Sequence, residues 1–158
     1  MAVKKKFPYK AALVACHGGC RATGCTYGCT GCGTCVSACK FDAIAVGPDG
    51  VARVDEAKCI GCGACARACP QQLIHVHDCA NYIVVKCSNH DKGAAARKQC
   101  SVSCIGCRIC EKTCTASAIH VVDNCARIDE AYCLSCGMCA VKCPRKVIHD
   151  LRGICAEK

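Results

Sequence analysis

Cysteine fills 24 of the 158 positions, and most of it falls into four runs with one spacing, C-x2-C-x2-C-x3-C. The runs are CTGCGTCVSAC from Cys29, CIGCGACARAC from Cys59, CIGCRICEKTC from Cys104 and CLSCGMCAVKC from Cys133. The first two start 30 residues apart, the last two 29, and the first and third 75. This is a repeat within a repeat: two units, each of two half-units. With only two Phe, four Tyr and no Trp, so short a chain buries too little apolar surface to rely on an ordinary core. Either disulfides or metals must hold the fold.

The spacing decides for metal. Three cysteines at i, i+3 and i+6 in a tight loop can wrap three irons of one cubane. In bacterial runs of this spacing, the fourth cysteine ligates the other cluster of the pair. The first unit then gives Cys29, Cys32 and Cys35 with Cys69, and Cys59, Cys62 and Cys65 with Cys39. The second gives Cys104, Cys107 and Cys110 with Cys143, and Cys133, Cys136 and Cys139 with Cys114. Four [4Fe–4S] clusters are expected. The bland alternative, structural zinc, usually takes cysteines in pairs across a long spacer, and four consecutive triplets exceed its needs. Gly31, Gly33, Gly61, Gly63, Gly106 and Gly137 lie between ligands, where backbone N–H groups approach the sulfides. Proline follows Cys69 and Cys143, while Lys40 and Thr115 stand in its place after Cys39 and Cys114. The Lys40 charge is expected to raise the potential of the cluster on the Cys59 run.

Eight cysteines remain. Cys25 lies four residues before Cys29 and Cys100 four before Cys104; Cys16 and Cys87 each end an apolar strand. Cys16, Cys25, Cys87 and Cys100, with Cys20, are candidate ligands of a fifth cluster, against a role as buried thiols. Cys25 is also a competitor of Cys32 for the first cluster. Cys79, Cys125 and Cys155 read as incidental, and His17 as a surface or packing residue.

The formal charge of +9 suggests a nucleic-acid partner, but a [4Fe–4S]2+ core on four thiolates is a dianion, and four of them offset most of that charge. With almost no aromatic residues for base stacking, nucleic acid is excluded. No 18-residue apolar stretch spans a bilayer, and Pro8 and Lys10 interrupt any secretory signal. The chain is expected to be cytoplasmic. No nucleotide loop or catalytic constellation occurs, so it has no catalytic site of its own.

FDAIAVGPDGVARVDEAKC and ASAIHVVDNCARIDEAYC each read as a β-hairpin between two runs. YIVVKC reads as a strand and DKGAAARKQ as a short helical linker. With these runs the chain resembles dicluster ferredoxins of the 2[4Fe–4S] type in tandem, which implies an α+β fold class with two ferredoxin-like domains at 25–78 and 100–150. An N-terminal segment (1–24), a linker (79–99) and a tail (151–158) flank and join them.

FDAIAVGPDGVARVDEAKC, VVKCSNHDKGAAARKQCSVSCIGCRICEKTC and KCPRKVI together resemble the B subunit of the Rnf ferredoxin:NAD oxidoreductase complex. The likeness runs from Leu13 to Ile148 and is most specific from Val84 to Cys114. It implies relay of single electrons within a multi-subunit oxidoreductase, with a flavoprotein or NAD(P)-linked subunit and a low-potential ferredoxin as partners. Members of that family usually begin with a membrane-anchoring helix and a further iron–sulfur module. Neither is seen here, so a soluble complex, one dividing electrons at a flavin, is expected over the soluble part of a membrane Rnf-type assembly. The family's first run commonly lacks a cysteine at the place of Cys32 while keeping those at Cys25 and Cys29, so the first ligand set stays open. A zinc-stabilised interaction module is the alternative of another class.

Overall fold

The computed structural model describes residues 9–18 and 24–154. In chain order its elements are β1 (Lys10–Val14), α1 (Thr34–Ser37), β2 (Ile44–Val46), β3 (Ala52–Val54), α2 (Ala64–Ala68), β4 (Ile74–Asp78), β5 (Ile83–Val85), α3 (Gly93–Gln99), α4 (Ile109–Thr113), β6 (Ile119–Val122), β7 (Cys125–Ile128), α5 (Met138–Lys142) and β8 (Ile148–Asp150). Four of the helices are single turns at the end of a cysteine run. Each is followed by a tight turn and a strand, so one small pattern is used four times.

The strands form four antiparallel pairs. The hairpins β2–β3 and β6–β7 lie where the sequence places them, with Ile44 opposite Val54 and Ile119 opposite Ile128. The first is closed by Gly47, whose N–H donates to the Val51 carbonyl at 2.9 Å. The second is closed by Asp123 and Asn124 alone, at φ 47° and 62°. Two positive φ values in a two-residue loop match the right-handed twist of the strands, and Asp and Asn tolerate them.

The outer pairs are long-range. β1 pairs with β4, Lys10 opposite Asp78 through Val14 opposite Ile74, and β5 pairs with β8. Each unit thus takes one strand from the chain ahead of its own first run. The extra strand covers what a two-stranded hairpin cannot bury by itself. The first core joins Ala11, Ala12, Val14, Ile44, Ala52 and Ile74 to Cys35, Cys59 and Cys65. The second joins Ile83, Ile119, Ala126, Val147 and Ile148 to Cys104, Cys110 and Cys139. Neither contains a buried aromatic ring, and among the described residues no helix is long and apolar enough to cross a membrane.

The units meet along a polar seam. Ser88 Oγ donates to the Ala15 carbonyl at 3.1 Å, and the Asp78 N–H to Glu130 Oε2 at 3.3 Å. The His17 and His149 rings lie 4.1 Å apart. Burial, then the neighbouring His17 and Lys86, pull the His149 pKa down to about 4. A base so depressed binds fewer protons in the folded protein than in the unfolded chain between pH 6.5 and about 4. Its stability contribution is intact above pH 6.5 and lost as the pH falls through that window. His149→Phe is expected to recover about 0.5–1 kcal/mol of that loss after allowing for partial burial. Anaerobic denaturation on either side of the unperturbed histidine pKa, at about pH 5.5 and about pH 7.5, reads this as a smaller gap than in the wild type.

Candidate metal centres

Each run begins with a loop that turns left-handed twice. In the second run these positions are Gly61 and Gly63, at φ 68° and 72°. Gly61 also lies against β1, where a Cβ would come within 2.7 Å of the Lys10 carbonyl oxygen. Successive turns of this kind aim backbone N–H groups into one concavity, which suits an anionic group. Two of the eight left-handed positions are not glycine: Arg108 at φ 59° and Ser135 at φ 52°. The second left-handed residue caps a one-turn helix in every run, and the third cysteine sits inside that helix.

The result is a pattern repeated four times. The second cysteine (Cys32, Cys62, Cys107, Cys136) is exposed and the third (Cys35, Cys65, Cys110, Cys139) is buried. Burial raises the pKa of every one of these third thiols, to about 11 for Cys110 and about 12 for Cys139. Neighbouring thiolates add to the rise. For Cys35 they are Cys29 and Cys69, and for Cys110 they are Cys104, Cys143 and Cys107. Such groups resist ionising alone and need a cationic core to hold them as thiolates.

Two cavities bring together the ligand sets that cross between runs. One is lined by Cys29, Cys32, Cys35 and Cys69, with Pro70 beside them. The other is lined by Cys104, Cys107, Cys110 and Cys143, with Pro144. These four-thiol cradles fit a [4Fe–4S] group. Among the described residues no three ligating side chains close tightly enough to hold a single metal ion. Backbone N–H groups donate to the sulfurs of Cys59 (from Ala12, 3.3 Å), Cys114 (from Ala118, 3.3 Å) and Cys133 (from Ser135, 3.4 Å). Such bonds tune cluster potentials.

Cys25 lies apart from the first cavity. It lines a separate one with Cys16, Cys87 and Cys100. Cys20 and Cys155 fall outside the described residues. The Cys79 carbonyl accepts from the Arg152 guanidinium at 3.1 Å. Cys125 is fully buried on β7. Its S–H donates to the Cys87 carbonyl at 3.3 Å, and its closeness to the Cys87 and Cys104 thiols lowers the pKa of both while its own is raised. Sequence reasoning missed this contact. Its trace is that CARIDEA aligns with VARVDEA, which puts Cys125 at the place of the buried Val51.

Comparison with known proteins agrees with the cysteine pattern. Residues 28–73 match the 4Fe-4S dicluster domain, and residues 103–117 and 126–149 each match a 4Fe-4S binding domain. The chain is 45% identical over 125 residues to the B subunit of the Na(+)-translocating ferredoxin:NAD(+) oxidoreductase complex of Acetobacterium woodii, covering 79% of this chain and 38% of that protein. It is 45% identical over 140 residues to the B subunit of the ion-translocating oxidoreductase complex of Methanosarcina acetivorans, covering 89% and 52%. It is 46% identical over 129 residues to the B subunit of the proton-translocating ferredoxin:NAD(+) oxidoreductase complex of Clostridium ljungdahlii, covering 80% and 45%. The chain therefore spans about half, or less, of the length of these relatives.

The left-handed backbone at Arg108 has a measurable consequence. Arg108→Gly removes a strain of about 1–2 kcal/mol. It adds up to about 1 kcal/mol of unfolded-state entropy and loses only an exposed contact to Glu111 at 4.0 Å. The variant is expected to be more stable than the wild type by about 0.5–1 kcal/mol, read by anaerobic denaturant unfolding of the iron-loaded protein. A less stable Arg108→Gly protein would contradict this account of the loop.

Proposed function

The chain belongs with the 4Fe–4S ferredoxin-domain proteins related to Rnf-type B subunits, and from that premise we propose that it relays single electrons through at least four [4Fe–4S] clusters inside a larger oxidoreductase. The observation that carries this reading is the crossed ligand set. Cys69 joins the thiols of the first run and Cys143 those of the third, each across the unit. Two clusters that exchange their fourth ligands are held close within one small unit, which suits electron passage between them. By the same twofold repeat, Cys39 completes the set of Cys59, Cys62 and Cys65, and Cys114 that of Cys133, Cys136 and Cys139.

A bound cluster supplies a one-electron redox centre. The residues of the chain do the rest. The buried third cysteines keep water from the inner face of each site, and backbone N–H groups stabilise the added negative charge of the reduced state. The exposed second cysteines bring one edge of each site to the surface, where a partner's redox group can approach. The partners in this reading are a flavoprotein or NAD(P)-linked subunit and a low-potential ferredoxin, in a soluble cytoplasmic complex. Similarity to subunits of ion-translocating complexes supports a second reading, the peripheral part of a membrane assembly. Fractionating cell extracts and identifying the co-purified subunits separates the two readings.

The central test is iron and acid-labile sulfide per chain after anaerobic purification. At least four clusters' worth is expected, brown and bleached by dithionite; a colourless zinc-loaded protein would overturn the reading. Cys69→Ser and Cys143→Ser are each expected to damage one cluster, leaving the others intact by EPR of the reduced protein. Lys40→Pro removes a cation next to Cys39. It is expected to move one midpoint, that of the cluster on the Cys59 run, to a more negative value in a redox titration.

A further inference from the structure

The cavity holding Cys25 resembles the two just described in its four converging thiols, yet it uses none of the run cysteines. We propose that Cys16, Cys25, Cys87 and Cys100 bind a fifth [4Fe–4S] cluster at the seam between the two units. This rests on the four-cluster reading and extends it.

Four observations carry the assignment. First, the four thiols come from four separate places in the chain and line one cavity. Second, the two units contribute to it equivalently. Cys16 follows β1 by two residues and Cys87 follows β5 by two; Cys25 precedes its run by four residues and Cys100 does the same. The residue before each strand-end cysteine is fixed by a matching bond, Ala15 N–H to the Leu73 carbonyl at 2.7 Å and Lys86 N–H to the Val147 carbonyl at 2.8 Å. A site made of two such pairs lies on the pseudo-twofold relation between the units.

Third, the sulfurs already receive hydrogen bonds of the kind a cluster uses. Cys16 Sγ accepts from Cys29 N–H at 3.4 Å and Cys87 Sγ from Cys104 N–H at 3.3 Å. Asn89, 1% exposed, donates its backbone N–H to Cys87 Sγ at 3.5 Å and its side-chain amide to Cys25 Sγ at 3.6 Å. Fourth, the positions are held from outside. The Arg145 guanidinium donates to the Cys100 carbonyl at 3.0 Å and to the Ser103 carbonyl at 3.2 Å, and Asp91 N–H fixes the Asn89 amide oxygen at 2.8 Å. The Cys25 thiol is raised by burial and by the three other cysteines of the set, so the four are near enough to repel as bare thiolates.

Loading would form four Fe–S bonds to a [4Fe–4S]2+ core delivered on four carrier thiolates. The four Fe–S bonds to the carrier break, the four cysteine S–H protons pass to the departing thiolates or to solvent, and there is no net electron transfer. The Cys100 S–H, which donates to the Gly18 carbonyl at 3.4 Å, is one of those protons. The assignment also sets an order. Cys16 is bonded to the first ligand of the first run, Cys29, and Cys87 to the first ligand of the third, Cys104. The fifth cluster is thus the step between one unit's pair and the other's. It frees Cys25 from competing with Cys32.

The test uses the full chain under anaerobic conditions, with iron and acid-labile sulfide counted per chain. The wild type is expected to hold five clusters' worth. Cys16→Ser, Cys87→Ser and Cys100→Ser are each expected to lose about a fifth of the iron. If Cys25 served the first cluster instead, Cys87→Ser and Cys100→Ser would keep all their iron, and the proposal would fall. Four clusters' worth in the wild type and in all three variants would sink the fifth site and leave the four-cluster reading standing. Fewer than four in the wild type would sink both. Zinc in this set, or disulfides among its cysteines, would also overturn it. Asn89→Asp gives a second readout without removing a ligand. It keeps the acceptor for Asp91 N–H but no longer donates to Cys25, so a single midpoint is expected to become more negative. Midpoints unchanged throughout would contradict the assignment.

Discussion

Buried thiols govern this structure. Cys35, Cys65, Cys110 and Cys139 occupy the places that leucine or phenylalanine would take in an ordinary core, and burial raises the pKa of each. Several such sulfurs close together cannot all ionise without a cation to compensate them. The apolar groups around them are mostly Ala, Val and Ile, split between two small clusters. So little apolar surface does not stabilise a domain by itself. The group that the cysteines hold is therefore structural first, and its redox chemistry uses a site that folding already requires.

The economy of the fold follows from that constraint. One half-unit consists of a doubly left-handed loop, a single helical turn, a tight turn and a strand, and it occurs four times. The residue three places after each fourth cysteine is left-handed as well, at Asp42, Gln72, Ser117 and Lys146, and none of these is glycine. Such conformations cost about 1–3 kcal/mol each and persist because the surrounding structure fixes them. Pairing half-units brings Cys69 to the first triplet and Cys143 to the third. Pairing whole units brings the flanking cysteines into one cavity.

Much of this was legible in sequence. The runs, both hairpins, the strand at Ile83–Val85 and the helix at Gly93–Gln99 follow from local spacing, turn residues and propensity. Other features were not. Arg108 and Ser135 carry no sign of left-handed backbone except their place in the repeat. Cys125 looks like a stray thiol until β7 is folded and its S–H reaches the Cys87 carbonyl. Nothing local ties Lys10–Val14 to Ile74–Asp78, because that pairing depends on the whole intervening unit.

The sequence by itself determined the chemistry: thiolate ligands, their number in each loop, and the small residues that let backbone approach them. These depend on separations of a few residues, where chain geometry leaves few alternatives. Only the tertiary structure decided which distant cysteines share a cavity, with Cys69 beside the first run and Cys25 beside Cys16, Cys87 and Cys100. The reason is physical. Cys25 is four residues from Cys29 and 75 from Cys100, so sequence distance favours the wrong neighbour. The twofold packing of the two units decides where its sulfur points.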